Sequence, residues 1–371
     1  MFFHLNVFEQ HRISLRFHTI MEKIYYCILV LLNLLLFSCT DKRPVINELY
    51  IEGQEIKVDS ANNHIGPKVL YGDILYAWNM DYYGGKLTKE EWQKSERLLV
   101  SGNGHNEFGY MILSRNQDGT LFVLNRSWVG SKYLSLVKIP HADSITAIKD
   151  ETKWERYSLK QTPILGPNGK NFVVLSDSSI LVTGAPYYNI SHVFSIIDFK
   201  NQKVTPLDYW PDNDSEPDSI KENRRYTDNS ILLDNGKGRF LYQNGWWRFS
   251  FIFTIDGTKT NIISWLYSDT FSKENASRVL ACCANDNRIY MLLRDSNSKG
   301  DKLDKFEDPF IFGNTIEVFD WDGVKQQIIH LDKYGQNLML SEDSKILYLV
   351  SDYSEDKPEP FIFAYELSSL K

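Results

Sequence analysis

Three families of catalytic motif are missing from this 371-residue sequence. No Gly-x-Ser-x-Gly elbow, His-Glu-x-x-His run or Walker loop occurs, so the local signals of serine hydrolases, zinc proteases and P-loop NTPases are absent. Cysteine is scarce, with four in the chain, and neither a cysteine–histidine zinc spacing nor a disulfide framework can be assembled from them. Basic runs are also lacking: 41 Lys and Arg stand against 48 Asp and Glu, a net charge of −7. That balance argues against nucleic acid or an anionic lipid surface as partner. Helical periodicity is nearly absent, and only residues 88–99, short and charged, read as a helix. No metal and no cofactor are expected.

Aromatics, at 14%, are plentiful, and Tyr and Phe suit half-buried pleated strands. The stretch from Ser101 to Asn125 is the clearest example. A glycine-punctuated loop (Gly102, Gly104, Gly109) feeds the apolar run from Tyr110 to Leu113. Asp118-Gly119 then turns the chain into a second run, Leu121 to Leu124. Asp-Gly between two apolar runs is a strong hairpin signal, because the turn needs the positive φ that Gly adopts at little cost.

Weaker copies of that second run recur. Aligning the first apolar residue after each turn gives Ile74, Leu121, Ile180, Phe240, Ile289 and Ile346, at spacings of 47, 59, 60, 49 and 57 residues. Five copies have a partner run downstream, at residues 133–139, 192–199, 249–256, 315–321 and 360–367; the first copy lacks a clean one before Ser101. Six all-β units of about fifty to sixty residues predict a six-bladed β-propeller with four-stranded antiparallel blades. A β-sandwich or two separate β-domains would not need such even spacing. Residues 47–58 alternate well enough for a strand, and ring closure predicts that they lie beside the last blade.

The first forty residues read as targeting sequence. Residues 24–37 form an almost unbroken apolar run, too short to span a bilayer comfortably. It follows Met21-Glu22-Lys23 and ends in Leu36-Phe37-Ser38-Cys39, which resembles a bacterial lipobox whose cysteine is lipidated and becomes the mature N-terminus. The expected organisation is a dispensable extension over 1–20, a lipoprotein signal peptide over 21–38, a lipidated tether over 39–46 and the propeller over 47–371. Translation is expected to start at Met21. The mature chain would carry 38 basic and 46 acidic residues. Its remaining cysteines, Cys282 and Cys283, are adjacent on an inferred strand and should point to opposite faces as two buried thiols; a vicinal disulfide would be strained.

Two segments carry a family resemblance. Gly102-Asn103-Gly104-His105-Asn106-Glu107-Phe108, with the hairpin after it, resembles the Gly-x-Gly-x-x-Glu-Phe stretch of six-bladed β-propeller lipoproteins. Thr315-Ile316-Glu317-Val318-Phe319-Asp320-Trp321-Asp322-Gly323, with the runs beginning at Lys345 and Glu359, resembles the closing blades of the TolB-like branch. His105-Asn106 stands where that family commonly has Pro-Gly. The resemblance covers roughly residues 45–371 and implies a six-bladed ring on an envelope lipoprotein. It implies no settled activity and brings no catalytic residue.

The candidate binding residues are charged and aromatic. Asn244-Gly245-Trp246-Trp247-Arg248 is the densest aromatic cluster, and aromatics beside Arg can stack on sugar faces or bases. Arg224 and Arg225 could hold a carboxylate. Tyr187, Tyr188, Trp78 and Trp128 follow the inferred inner strands. His105 and Glu107 could form a base and its orienter, but without a visible nucleophile they read better as inter-blade packing. Residues 212–218 are acidic, yet lack the glycine and closing glutamate of a calcium loop.

The expected function is a lipid-anchored envelope module, a non-enzymatic binder or scaffold for a protein or glycan partner. The localisation expected is a Gram-negative cell envelope, at the outer membrane, as a monomeric ring that takes no nucleic acid and meets the membrane only through its lipid. The alternative is a hydrolase or lyase using polar residues of the central channel.

Overall fold

In a computed structural model of the chain, the described residues are 25, 46–63, 65–102, 107–115, 119–126, 134–159, 169–184, 192–211, 226–245, 249–267, 279–294, 312–351 and 360–367. The chain divides into Met1–Ile46 and Asn47–Lys371. In the first unit only Tyr25 and Ile46 are described, both exposed. Among the described residues no helix is long and apolar enough to cross a membrane.

The second unit begins with β1 (Asn47–Ile51) and β2 (Gln54–Val58) and then builds six sheets in chain order. Blade 1 holds β3 (Gly66–Tyr71), β4 (Ile74–Asn79), β5 (Asp81–Lys86), β7 (Glu96–Ser101) and a short parallel β8 (Glu107–Phe108); β6 (Glu91–Trp92) leaves it for blade 6. Blade 2 is β9 (Tyr110–Arg115), β10 (Leu121–Arg126), β11 (Leu134–Ile139) and β12 (Glu155–Ser158). Blade 3 is β13 (Val173–Ser176), β14 (Ser179–Thr183), β15 (Phe194–Asp198) and β16 (Lys203–Pro206). Blade 4 is β17 (Ile231–Asp234), β18 (Phe240–Gln243), β19 (Ser250–Asp256) and β20 (Lys259–Trp265). Blade 5 is β21 (Val279–Ala284), β22 (Arg288–Leu293), β23 (Gly313–Asp320) and β24 (Lys325–Gly335). Blade 6 is β25 (Asn337–Leu340), β26 (Ile346–Ser351) and β27 (Phe361–Glu366).

Six apolar cores, each shared by two consecutive sheets, make these sheets a ring. Phe108, Leu121 and Val137 pack between blades 1 and 2, and Phe122, Phe172 and Ile180 between 2 and 3. Phe194, Tyr242 and Phe251 fill the space between 3 and 4, Leu241, Met291 and Phe319 that between 4 and 5. Leu292, Val318 and Leu349 lie between 5 and 6. The last core joins Val350 and Ile362 of blade 6 to Leu75 and Ala77 of blade 1. This closes a six-bladed β-propeller. Each second strand feeds two cores: Phe122 and Leu124 face blade 3 while Val123 between them faces blade 1. Burial on both faces explains why the second strands read as continuous apolar runs, each large side chain contributing about 1.5–3 kcal/mol.

The six aligned runs are the second strands of the six blades, and their downstream partners are the third strands. Three expectations need correction. The aligned runs are not innermost; β3, β9, β13, β17, β21 and β25 lie nearer the axis. Residues 88–99 form β6 and β7 rather than a helix. There the Thr88 hydroxyl caps a turn by accepting from the Glu90 and Glu91 N–H groups, Trp92 is swallowed whole by the core between blades 6 and 1, and β7 supplies the outer partner that β5 needs. Residues 47–58 are two strands that part at Gly53. β2 closes blade 6 antiparallel to β27, as expected, whereas β1 runs parallel to β24 on blade 5.

Gly53 makes that split possible. Its N–H donates to Asp332 Oδ1 at 2.9 Å, which also accepts from the Tyr365 hydroxyl at 3.1 Å. A side chain at position 53 would meet the Tyr365 ring at 2.5 Å, so only glycine lets the chain pass. Desolvation works against the Asp332 carboxylate, but hydrogen bonds from Gly53, Lys333 and Tyr365 outweigh it and hold its pKa below the usual range.

Candidate functional site: the connection-bearing end of blades 3 and 4

The ring has two unlike ends. At one end short turns join the first strand to the second in blades 1 and 3 to 6 and the third to the fourth in blades 3, 4 and 5. In blades 1 and 2 the latter connection is longer. The short turns are made by Asx-type contacts: Asp234 Oδ2 accepts from Gly236 N–H at 3.0 Å, Asn285 Oδ1 from Asn287 N–H at 2.9 Å, and Asp320 Oδ1 from Asp322 N–H at 2.9 Å. Asp and Asn favour such turns because their side chains bond the backbone two residues on. The other end carries the connections from second to third strand and from one blade to the next.

The sequence-predicted site residues Tyr187, Tyr188, Arg224, Arg225, Trp246, Trp247 and Arg248 lie outside the described residues, as do Cys39, His105, Trp128 and residues 212–218. The residues that flank those candidates in blades 3 and 4 are described, and the fold brings them together. Thr183, which ends β14, shares a 2.6 Å hydrogen bond with Ser230; Ser230 in turn donates to the Thr227 carbonyl at 2.7 Å. Tyr242, on β18, donates its hydroxyl to the Tyr226 carbonyl at 2.5 Å and accepts from Asn244 Nδ2 at 3.1 Å. Ser195 reaches the Gly184 carbonyl at 3.0 Å. A Cβ on Gly245 would press on the Asn229 backbone at 2.5 Å. The stems beside Tyr187, Arg225 and Trp246 are thus stitched into one buried polar network.

Sequence reading missed this network. Thr183, Ser195, Thr227, Ser230, Gln243, Asn244 and Ser250 are all buried, and small polar residues scattered over some sixty positions look like ordinary surface. Burial pushes the Tyr242 phenol well above its ordinary pKa, so it stays protonated and keeps donating. Beneath the network, aromatic rings pack edge to face: Phe194 with Tyr242 at 5.2 Å, Trp210 with Tyr226 at 5.0 Å, and Phe249 with Trp265 at 5.3 Å. Trp265 remains 39% exposed beside Phe249. It belongs to a wider pattern. The exposed aromatics of the described ring are Tyr50, Trp78, Tyr110, Trp265 and Tyr334, and each stands in the half of its strand nearer this end.

The inner strands carry several polar contacts. Lys170, just ahead of β13 in blade 3, extends to the Leu280 carbonyl of blade 5 at 3.4 Å. Asn171 clasps the N–H and carbonyl of Leu232 on the next inner strand, and Asn337 donates to the Lys68 carbonyl at 3.3 Å. At the turn-bearing end, desolvation raises the Asp234 carboxyl above the usual range, with the Asp286 charge adding and the Gly236 N–H and Arg115 charge opposing.

Other candidates resolve into structure. In the Gly-x-Gly-x-x-Glu-Phe segment, Gly102 N–H donates to the Phe108 carbonyl at 2.8 Å, and a Cβ on Gly102 would collide with the Glu107 carboxylate. Phe108 is fully buried under the Arg156 guanidinium, 5.5 Å from its ring centre. Cys282 and Cys283 are free thiols facing different cores; Cys282 is buried, which pushes its pKa up to about 12, whereas Cys283 is half-buried rather than buried as expected. A surface hollow of about 510 Å³ beside the short helix α1 (Ile145–Ile148) is lined by Ser144, Lys149, Asp150 and Lys153; its lysines are already ion-paired, with Glu96 and Asp150. Among the described residues no group of acids, histidines and cysteines is placed to hold a metal ion.

No family model matches the chain, and no curated protein matches it. It is similar to the solved β-propeller domain of Cps50 (Swd1) from Myceliophteria thermophila, at 10% identity over 84% of this chain and 98% of that one, with a TM-score of 0.45. It is also similar to an auxiliary nutrient binding protein from Bacteroides thetaiotaomicron, at 9% identity over 82% and 70%, TM-score 0.45. A gluconolactonase from Xanthomonas campestris shows 9% identity over 84% and 98%, TM-score 0.43. Likenesses this remote transfer neither ligand nor activity.

Proposed function

We propose that the chain is a cell-envelope binding module, lipid-anchored at Cys39 in a Gram-negative bacterium, that holds a protein or glycan partner at the connection-bearing end of blades 3 and 4. Trp246, Trp247, Arg248, Tyr187 and Tyr188 supply stacking and cationic contacts, Arg224 and Arg225 engage a carboxylate, and Trp265 extends the aromatic surface. One observation supports this above others: the stems of all three segments carrying those residues meet in a single buried hydrogen-bond network. Loops on stems so fixed are the usual place for recognition on a rigid scaffold.

Partner capture tests the reading. Protein purified from solubilised envelope should retain a partner, or bind immobilised glycans, and Trp246→Ala with Trp247→Ala should abolish retention without lowering thermal stability. Retention unchanged in that variant would sink the site. Mass spectrometry tests the anchor: an unmodified Cys39, or cleavage elsewhere, removes it.

A second reading, a hydrolase or lyase of the central channel, draws on the raised acid Asp234 near Asp286 and Arg115. Asp234 is already engaged as a turn former, which favours binding. Hydrolytic activity lost in Asp234→Asn at unchanged stability would reverse the preference.

A further inference from the structure

We propose that His330 is a pH-sensitive latch for β1: it holds this edge strand on the rim of blade 5 while the imidazole is protonated and loosens it when the proton leaves.

β1 is lightly held. None of its side chains is buried: Asn47, Glu48 and Tyr50 are exposed, and Leu49 and Ile51 are half-buried. It is the outermost strand of its sheet and pairs, among the described strands, with β24 alone. A short parallel strand at a sheet edge belongs to the least stable part of a fold. Just beyond it Gly53 is fixed by Asp332 at 2.9 Å, and β2 is fixed in blade 6. β1 can therefore fray from Asn47 without disturbing ring closure.

The polar and aromatic contacts of β1 converge on one imidazole. The Tyr50 ring stacks on His330 with centroids 4.6 Å apart and planes 20° from parallel. Glu48 Oε2 lies 3.5 Å from His330 Nε2, too far for a strong hydrogen bond, and Nε2 has no hydrogen-bond partner among the described residues. The attraction to Glu48 thus depends on the charge of the imidazolium. Nδ1 lies 3.4 Å from Thr315 Oγ1, and a hydroxyl donates or accepts, so this contact serves either state. Protonation adds a charge pair with Glu48 and a cation against the Tyr50 ring. Both gains fall on β1.

Histidine ordinarily exchanges its proton between pH 5 and 8. The titratable groups around it are Glu48 and Tyr50 on β1 and Glu317 on β23, which is held by Lys325 and the Tyr267 hydroxyl. On β24 itself Asp332 and Lys333 pair at 3.2 Å, and hydrogen bonds keep the Asp332 carboxyl below the usual range. Carboxyl, amine and phenol groups ordinarily titrate outside that window. The extra hold is therefore present at low pH and lost as pH rises. Lifting β1 bares the outer edge of β24, whose backbone groups can then pair with another strand.

Hydrogen exchange of the Leu49, Tyr50 and Ile51 amides in the full chain tests the latch, with protection factors removing the intrinsic effect of pH on exchange. Protection there should fall by about three- to tenfold between pH 5.5 and 8, while β14 in blade 3 keeps its protection. His330→Phe, which leaves a ring under Tyr50, should abolish the fall. Glu48→Gln, at an exposed position, should reduce it without touching the core. No fall in the parent, or the parent's full fall persisting in either variant, overturns the latch.

Discussion

Tyr242→Phe isolates the stem network from everything else in blades 3 and 4. The substitution keeps the ring, and with it the contacts to Phe194 and Phe251, both at 5.2 Å. It deletes one oxygen that donates to the Tyr226 carbonyl and accepts from Asn244. Tyr242, Tyr226 and Asn244 are fully buried, so water cannot simply replace the lost partner. Leaving buried polar groups unsatisfied costs about 1–3 kcal/mol each, and a total of roughly 3 kcal/mol is expected. In a unit of this size each kcal/mol lowers Tm by about 2 °C, which predicts a fall of about 6 °C. The loss should also be local: hydrogen exchange should quicken at residues 226–230 and 244–245 while blades 1 and 6 keep their protection. If the ordered stems are needed for binding, weakening them by about 1.4 kcal/mol lowers partner affinity about tenfold. A Tm within about 1 °C of the parent, with unchanged exchange in those two segments, would refute the claim that this hydroxyl ties the stems together.

Three further outcomes follow from other parts of the ring. Asp332→Ala removes the acceptor that joins Gly53 and Tyr365, and should speed exchange along β1 and β2 while leaving blade 3 unchanged. Because the Asp332 and Asp343 carboxyls titrate below their unfolded values, Asp343 at about 2, the stability they add is present above about pH 4. It disappears as pH falls from there toward 2, so the Asp332→Ala variant should show a flatter acid-unfolding profile there than the parent. Gly102→Ala forces a methyl group into the Glu107 carboxylate and should cost about 1–3 kcal/mol through overpacking, measured by urea denaturation; no loss would mean that the segment accommodates a side chain. Cys282, its thiol pushed up by burial, should resist a thiol-specific reagent at pH 8 in native protein and react fully in denaturant, while the half-buried Cys283 should react more slowly in native protein than in denaturant.

How much was legible depended on where the physics was local. The second strands were readable because burial on both faces makes them unbroken apolar runs, and their turns carry Asx residues that announce themselves. β5 was missed because Gly84 and Gly85 weaken it as a strand; they sit there because side chains would strike Leu98 and the Gln93 carbonyl. Residues 88–99 looked helical because Leu98 and Leu99 follow a charged stretch. Only the distant strands β2 and β5 make them extended. The division of residues 47–58 turned on Gly53 meeting Tyr365, a contact between opposite ends of the chain that no local pattern records. The stem network was invisible for the same reason.

Read through the repeat, the candidate aromatics gain a relation they lack when read singly. Trp128, Tyr187 and Trp246 follow one another at intervals of 59 residues, close to the spacing of the second strands of blades 2, 3 and 4. Each comes two to four positions after the end of its own second strand, β10, β14 or β18. An aromatic thus recurs at nearly the same sequence offset in the repeat units of three consecutive blades. A partner lying across several blades, as proposed above, would use such a row. Alanine at each of the three positions should then weaken the same partner, by about 1–3 kcal/mol per ring if the contact is stacking. The double substitutions should come close to additive, because the three positions belong to successive repeat units. Titration calorimetry with the captured partner measures both. Loss at one position with no effect at the other two, in variants of unchanged Tm, would reduce the row to coincidence and leave binding to a single blade.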